Sequence, residues 1–143
     1  MRISRLGTVL VGAIASTLLA ITPSSAVSWE VDHATATSGP GLNGFQCSTI
    51  PEGGGCFRPD GDWFAVSDFK ADKHSVLVRW KSFDPRTNAL HRQGTIWNSS
   101  GKGTSRYQNK NLPEGDFVEW EICTGDWDDL RIITCGGTTS AHA

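Results

Sequence analysis

Apolar and polar residues alternate with a period of two through much of the second half of the chain. In residues 117–123, Val118, Trp120 and Ile122 fall on one face of an extended chain, and Glu119 and Glu121 fall on the other. This alternation is typical of a β-strand with one buried and one solvated face. The same pattern predicts strands over residues 63–68, 75–82, 89–97, 104–109 and 130–135.

The chain between residue 27 and residue 55 shows a weaker alternation of apolar and polar residues. Trp29 and Val31 alternate with polar residues and could form an edge strand, and residues 45–50 could form a short strand. Residues 51–55 contain three consecutive glycines and predict a turn, and further turns are expected at 84–85, 98–101, 113–115 and 124–126. The chain is therefore predicted to be all-β, a small antiparallel β-sandwich or open barrel of six to eight strands, with most tryptophans in the core.

The N-terminal segment has the features of a secretory signal peptide. Arg2 and Arg5 precede an apolar run over residues 6–21, and Ser24 and Ala26 supply small residues before a cleavage point. The apolar run is shorter than the ~20 residues that a membrane-spanning helix needs. The expected division is a signal peptide at 1–26, a flexible leader or edge strand at 27–44, and a single β domain at 45–143. The protein is accordingly expected to be secreted and extracellular, with no membrane span after cleavage.

The charge of the chain argues against a nucleic-acid partner. The whole chain has a net charge of −2, and removal of Arg2 and Arg5 makes the mature charge about −4. Phosphate backbones are bound by clustered Lys and Arg, whereas the basic residues here are scattered. We expect a monomer that meets an extracellular ligand, either a glycan or a protein.

The four cysteines predict two disulfides. Cys47, Cys56, Cys123 and Cys135 form an even set in a short exported chain, and four cysteines allow three pairings. The pairs Cys47–Cys56 and Cys123–Cys135 are favoured, because each encloses a compact, turn-rich segment. A zinc site is not expected, because no Cys-x-x-Cys pair is present.

Residues 67–75 gather polar groups between two predicted strands. Asp68 and Asp72 could supply oxygen ligands to Ca²⁺, but the glycine and distal glutamate of a known calcium loop are missing. The preferred interpretation is a bend in which both aspartates accept backbone N–H bonds. Apart from Ca²⁺, no cofactor is expected.

A second candidate site is the densest acidic patch of the chain. Trp127 lies among Asp126, Asp128 and Asp129, inside the predicted Cys123–Cys135 loop. An exposed tryptophan could stack on a sugar ring while the aspartates bind its hydroxyl groups, or the aspartates could hold Ca²⁺. The alternative is a hairpin tip with solvated charges and with Trp127 folded over the apolar edge.

The bend also carries a resemblance to known proteins. The residues Asp68-Phe-Lys-Ala-Asp-Lys-His-Ser75 follow the pattern D-x-x-A-D-x-H-S, with Gly-Asp-Trp-Phe before it and Leu-Pro-Glu-Gly-Asp-Phe at 112–117. This resembles small secreted actinobacterial all-β proteins of unknown function. The resemblance implies a secreted all-β domain and no catalytic activity. Lys73 stands where that pattern tends to have glycine, which predicts a differently shaped bend because positive φ is unfavourable for lysine.

These features favour a non-catalytic extracellular binding or structural module, with a glycan or cell-wall surface as a candidate ligand. One alternative is an inhibitor or toxin that presents residues 51–55 as a protruding loop. The other is a small hydrolase, whose sign would be His74 or His91 hydrogen-bonded to a buried aspartate beside a pocket. We assign no catalytic residue from the sequence.

Overall fold

The computed structural model describes residues 26–41 and 43–143. The predicted signal peptide therefore lies, except for Ala26, outside the described residues. Among the residues that are described, no helix is long and apolar enough to cross a membrane.

The described chain is all-β, as predicted, with nine strands rather than six to eight. The strands are β1 (Trp29–His33), β2 (Gln46–Ile50), β3 (Gly53–Arg58), β4 (Trp63–Asp68), β5 (Ser75–Phe83), β6 (Leu90–Asn98), β7 (Ser105–Asn109), β8 (Phe117–Asp126) and β9 (Arg131–His142). A single 3₁₀ turn, Trp127–Asp129, separates β8 from β9.

The strands form two open sheets that pack face to face. One sheet has the order β1-β6-β5-β8-β9, and the other has the order β2-β3-β4-β7. All neighbouring strands are antiparallel except β1, which joins the edge of the first sheet parallel to β6. The edge strand that Trp29 and Val31 suggested is therefore present, within the segment expected to be a leader or edge strand.

The core lies between the two sheets and follows the period-two prediction. Val118, Trp120 and Ile122 are almost completely buried there, with Trp80 beside them on β5. A smaller apolar cluster contains Trp97 from β6 and lies apart from the main core. Three of the six tryptophans, Trp80, Trp97 and Trp120, are thus fully buried, while Trp29 is exposed.

The glycines at 53–55 form part of a strand and not the predicted turn. Only Pro51 and Glu52 connect β2 to β3, and Gly53, Gly54 and Gly55 are buried within β3. A Cβ atom on Gly55 would lie 2.5 Å from Val78 Cγ2, so the missing side chain allows the two sheets to approach. The protruding loop that an inhibitor would need at 51–55 is therefore absent from the structure.

The hairpin between β8 and β9 also differs from its prediction. Residues 124–126, expected as a turn, belong to β8, and the chain reverses at the 3₁₀ turn and Leu130, which has φ of 54°. Strand β9 continues to His142, well beyond the predicted end at residue 135. Its second half escaped prediction because it contains Gly136, Gly137 and polar residues without apolar alternation.

Both predicted disulfides are present. Cys47–Cys56 joins paired positions of β2 and β3, and Cys123–Cys135 joins paired positions of β8 and β9. No free cysteine exists among the described residues. Each bridge therefore fixes the register of one hairpin, and bridges of this kind contribute about 2–4 kcal/mol in small exported domains.

An ion network holds β1 against the rest of the sandwich. The buried Lys110 Nζ lies 2.6 Å from Glu30 Oε2 and 2.6 Å from Asp32 Oδ2. Arg92 forms two further bonds to the Glu30 carboxylate, at 2.8 and 2.9 Å. The hydrogen bond from Arg92, with the help of Lys110, lowers the pKa of Glu30 below its usual value despite partial burial.

We expect Gly55→Ala to lower the free energy of unfolding by about 1–3 kcal/mol, because the added methyl group would overlap Val78 and Ile122. Gly136→Ala is the matched control, since its Cβ would meet Ile50 Cγ2 at an ordinary 3.4 Å. Urea unfolding of both variants measures the difference. Equal stabilities for the two variants would contradict the close approach of the sheets at β3.

We expect Glu30→Gln to lower the free energy of unfolding by about 1.5–3 kcal/mol at pH 7, the usual value of a hydrogen bond to a charged group. Because the pKa of Glu30 is lowered in the folded state, its contribution is present above its ordinary pKa of 4.5 and is lost as the pH falls through the folded pKa. The difference between wild type and variant should therefore shrink in urea unfolding at acidic pH. The exposed Glu114→Gln should show no such difference at any pH.

Candidate functional site

Both site candidates found in the sequence lie at the same end of the sandwich, which we call the loop end. It comprises the β2–β3 turn (51–52), the bend between β4 and β5 (69–74), the β6–β7 turn (99–104), the β8–β9 turn (127–130) and His33 at the end of β1. The fold thus brings together groups that are far apart in the sequence.

The two aspartates of the bend have the role that the turn interpretation predicts. Asp68 Oδ1 accepts a hydrogen bond from the Lys70 backbone N–H at 3.0 Å, and Asp72 Oδ1 accepts one from the His74 N–H at 3.0 Å. The bend is also tied to its neighbour, because the Phe69 N–H donates to the Glu52 carbonyl at 2.9 Å. These bonds fix the backbone from which His74 projects.

The expectation that Lys73 would avoid positive φ is wrong. Lys73 has φ of 66°, so this position takes the left-handed conformation even without glycine. That conformation costs about 1–2 kcal/mol for a residue with a Cβ atom. The bend tolerates this cost because hydrogen bonds to both aspartates hold the flanking residues.

His74 connects the bend to the acidic patch. Its Nδ1 lies 2.7 Å from Asp126 Oδ1, and the other oxygen of Asp126 accepts a hydrogen bond from Arg131. The hydrogen bond from His74, together with the positive charge of Arg131, lowers the pKa of Asp126. The carboxylate is therefore ionised at neutral pH and is engaged on both oxygens.

Trp127 is fixed by aromatic neighbours. Its ring stacks on His33 with a centroid distance of 4.2 Å and packs at 5.8 Å against the buried Trp97. His33 is itself held by a 2.7 Å contact between its Nε2 and Ser99 Oγ. One face of the Trp127 ring is thus covered by His33, which leaves less of the ring for a ligand than a freely exposed tryptophan would offer.

The remaining aspartates of the patch differ in their surroundings. Asp129 is paired with Arg131, with 3.5 Å between its Oδ2 and Arg131 Nε. Asp128 is exposed and forms no ion pair within the described part of the chain. Of the predicted binding residues, Asp128 therefore has the most freedom to meet a ligand.

Two adjoining cavities open at the loop end. The first, of about 330 Å³, lies between the bend and the β6–β7 turn, and its lining includes Asp68, Lys70 and Lys102. The second, of about 290 Å³, reaches Asp126, Trp127 and Asp128. Both are lined by Lys73, Ser75 and Ser99. The two predicted sites are thus parts of one continuous polar surface.

In the described part of the chain, no third ligand joins Asp68 and Asp72 to support the calcium hypothesis. Among the described residues, the one group of three potential metal ligands is Glu121 with Cys123 and Cys135, and these cysteines form a disulfide and offer no thiolate. Burial raises the pKa of Asp68, as does the nearby charge of Asp72.

A hydrolase would show a histidine hydrogen-bonded to a buried aspartate and a cavity beside that histidine. In this structure these two features occur at different places. His91 Nδ1 lies 3.0 Å from both carboxylate oxygens of the buried Asp116, but neither residue lines the two cavities at the loop end. Ser82 donates to Asp116 itself, so the acid stands between the serine and the histidine. A catalytic triad needs the histidine in the middle. His74 does lie beside a cavity, but its partner Asp126 is partly exposed.

Sequence reasoning missed several residues of the loop end. His33 and Ser99 meet because β1 pairs in parallel with β6, and hydrophobic periodicity contains no signal for that pairing. Arg131 is not among the predicted site residues. Its position four residues after Trp127, across a tight turn, is the signal in the sequence that it could neutralise the acidic patch.

Comparisons with protein-family models, with curated proteins and with solved structures find no match for this chain. The function must therefore be inferred from the geometry of the loop end.

We expect Lys73→Gly to raise the free energy of unfolding by about 0.5–1 kcal/mol, because glycine takes positive φ without steric cost. Lys102→Gly is the control. Lys102 is also an exposed loop lysine, but it is not among the residues with positive φ. Glycine there should lower stability by about 0.4–1 kcal/mol through greater freedom of the unfolded chain. Thermal unfolding that shows a change of the same sign for both variants would contradict the strain at Lys73.

Proposed function

We propose that this protein is a secreted, non-catalytic binding module and that its loop end binds an extracellular glycan. The observation that carries the proposal is the convergence of polar side chains from three separate segments around two adjoining cavities. These side chains include His74, Ser99 and Asp126, which are held in place by the hydrogen bonds of His74 with Asp126 and of Ser99 with His33.

The rigidity of the loop end supports a binding role. Asn98, completely buried, donates from its side chain to the Val66 carbonyl at 3.0 Å and to the Thr104 carbonyl at 3.1 Å. The Asp68 N–H also donates to the Thr104 carbonyl, at 3.0 Å. These bonds tie the β6–β7 turn to the end of β4. A ligand that meets such prearranged groups loses less conformational entropy on binding than one that must order mobile loops.

The chemistry of the loop end favours a hydroxyl-rich ligand. The cavities are lined mainly by serine, lysine, histidine and aspartate side chains, which donate to or accept from hydroxyl groups. Trp127 adds the edge and free part of an aromatic ring beside Asp128. Two disulfides and the predicted signal peptide support a location outside the cell, where glycans are exposed.

We expect Trp127→Ala to abolish retention of the secreted protein on the polysaccharide that retains the wild type. Pull-down on a panel of insoluble cell-wall and plant polysaccharides, with and without Ca²⁺, measures retention. Since Trp127 packs against Trp97, thermal unfolding must confirm that the variant is folded.

A second variant keeps the test independent of folding. Asp128→Ala removes an exposed side chain with no ion-pair partner in the described chain, and it should weaken retention about tenfold, as expected for a lost hydrogen bond to a charged group. Glu114→Ala, at the opposite end of the sandwich, should bind like the wild type. The proposal fails if no polysaccharide retains the wild type, or if both loop-end variants are retained fully.

A further inference from the structure

Asp68 presents a buried oxygen without a partner. The side chain is 1 % exposed, and its Oδ2 has no hydrogen-bond partner among the described residues. Its other oxygen accepts the Lys70 N–H, so the carboxyl group is half satisfied. A buried acceptor without a donor is unfavourable, because it has lost its hydrogen bonds to water. Asp68 lines the larger cavity of the loop end. Its Oδ2 is closed to water, so a ligand in that cavity supplies the missing donor by displacing the atoms that cover this oxygen.

The same cavity is bordered by positive charge. Lys70, Lys73 and Lys102 are exposed and line it, and His74 stands beside them. The positive charge of Lys70 is partly neutralised, because its Nζ lies 3.3 Å from Glu52 Oε1. Neither Lys73 nor Lys102 forms an ion pair with any described carboxylate. None of the three ammonium groups hydrogen-bonds to Asp68, so the lysines remain available to a ligand.

We propose that the cavity of Asp68, Lys73 and Lys102 binds an acidic unit of a glycan, a hydroxylated residue that carries a carboxylate or phosphate group. One ligand hydroxyl donates to Asp68 Oδ2, and the acidic group pairs with Lys73 and Lys102. Ser75 and Ser99, at the junction with the second cavity, contact neighbouring hydroxyls. This proposal rests on the proposed glycan-binding function and specifies the class of glycan.

The combination of groups selects against simpler ligands. A free sulfate ion would pair with the lysines, but it has no hydroxyl to donate to Asp68. A neutral sugar could donate to Asp68, but it would leave two uncompensated ammonium groups. A metal cation would meet Asp68 beside three lysines, which oppose it. A unit with both a hydroxyl donor and an anionic group satisfies both halves of the cavity.

The test compares two acidic, hydroxyl-bearing polymers with a neutral polysaccharide. Soluble polygalacturonate and poly(glycerol phosphate) supply acidic groups from two chemical sources, and dextran supplies hydroxyls without charge. Isothermal titration of the secreted protein against each should show binding to at least one acidic polymer at least tenfold tighter than to dextran. The polymer that binds identifies whether the acidic group is a carboxylate or a phosphate. Added salt should weaken that binding, because exposed charges are screened.

Three variants assign the contacts. Lys73→Gln and Lys102→Gln should each weaken binding of the acidic polymer about tenfold, which is the loss expected when one charge-assisted contact is removed. Each variant should also reduce the salt dependence of binding. Lys81→Gln makes the same charge change on the outer face of the first sheet, away from the cavity, and should bind like the wild type. Asp68→Asn keeps an oxygen for the Lys70 N–H but removes the charged acceptor, and it should weaken binding by a similar factor without loss of the fold.

The outcomes separate this proposal from the broader one. One outcome would be that a neutral polysaccharide is retained and that its retention depends on Trp127 and Asp128, while acidic polymers bind no more tightly and the lysine variants bind normally. The glycan-binding function would then hold, and the proposal of an acidic ligand would be wrong. Equal losses for Lys81→Gln and Lys102→Gln would also overturn the proposal, because they would indicate general charge attraction. If no glycan binds the wild type, both proposals fail.

Discussion

Gly53 and Gly55 face the other sheet without side chains, and Val76, Val78 and Ile122 occupy the space where their Cβ atoms would lie. This close approach brings β3 within hydrogen-bond distance of the opposite sheet, where the buried indole of Trp120 donates to the Gly55 carbonyl at 3.1 Å. The close approach of the two sheets also determines the position of the β2–β3 turn. That turn supplies the Glu52 carbonyl to the bend after β4, so the shape of the loop end depends on two residues that have no side chain.

The sequence predicts those strands whose own residues alternate between apolar and polar positions. Strand β8 is the clearest case, because Val118, Trp120 and Ile122 alternate with charged residues and are buried as expected. Strand β3 carries the opposite signal, since glycine usually marks turns. Its strand character comes from tertiary packing against β5 and β8, which no local pattern contains. The two disulfide pairs could be predicted because each closes a short hairpin.

In the candidate site, too, the sequence predicts local contacts but not contacts between distant segments. The hydrogen bonds of Asp68 and Asp72 to backbone two residues onward are local, and residue type alone predicts them. The contact of His33 with Ser99 spans 66 positions and depends on the parallel pairing of β1 with β6. Parallel pairing requires a long crossover connection, and its register is set by packing rather than by any turn. The sequence therefore identifies the groups of the loop end but not their arrangement.

Folding also changes which charges the loop end offers to a ligand. In the sequence, residues 124–129 are the most acidic segment and suggest a site for cations or neutral sugars. In the structure, His74 and Arg131 engage Asp126, and Arg131 also approaches Asp129. Lys73 and Lys102 keep no such partners among the described residues. Screening limits the reach of exposed charges to about 8–10 Å at physiological salt, so a bound group at the first cavity experiences these lysines more strongly than the net charge of −2 on the chain. An anionic ligand is therefore compatible with an acidic protein, because local arrangement and not total charge determines what this cavity attracts.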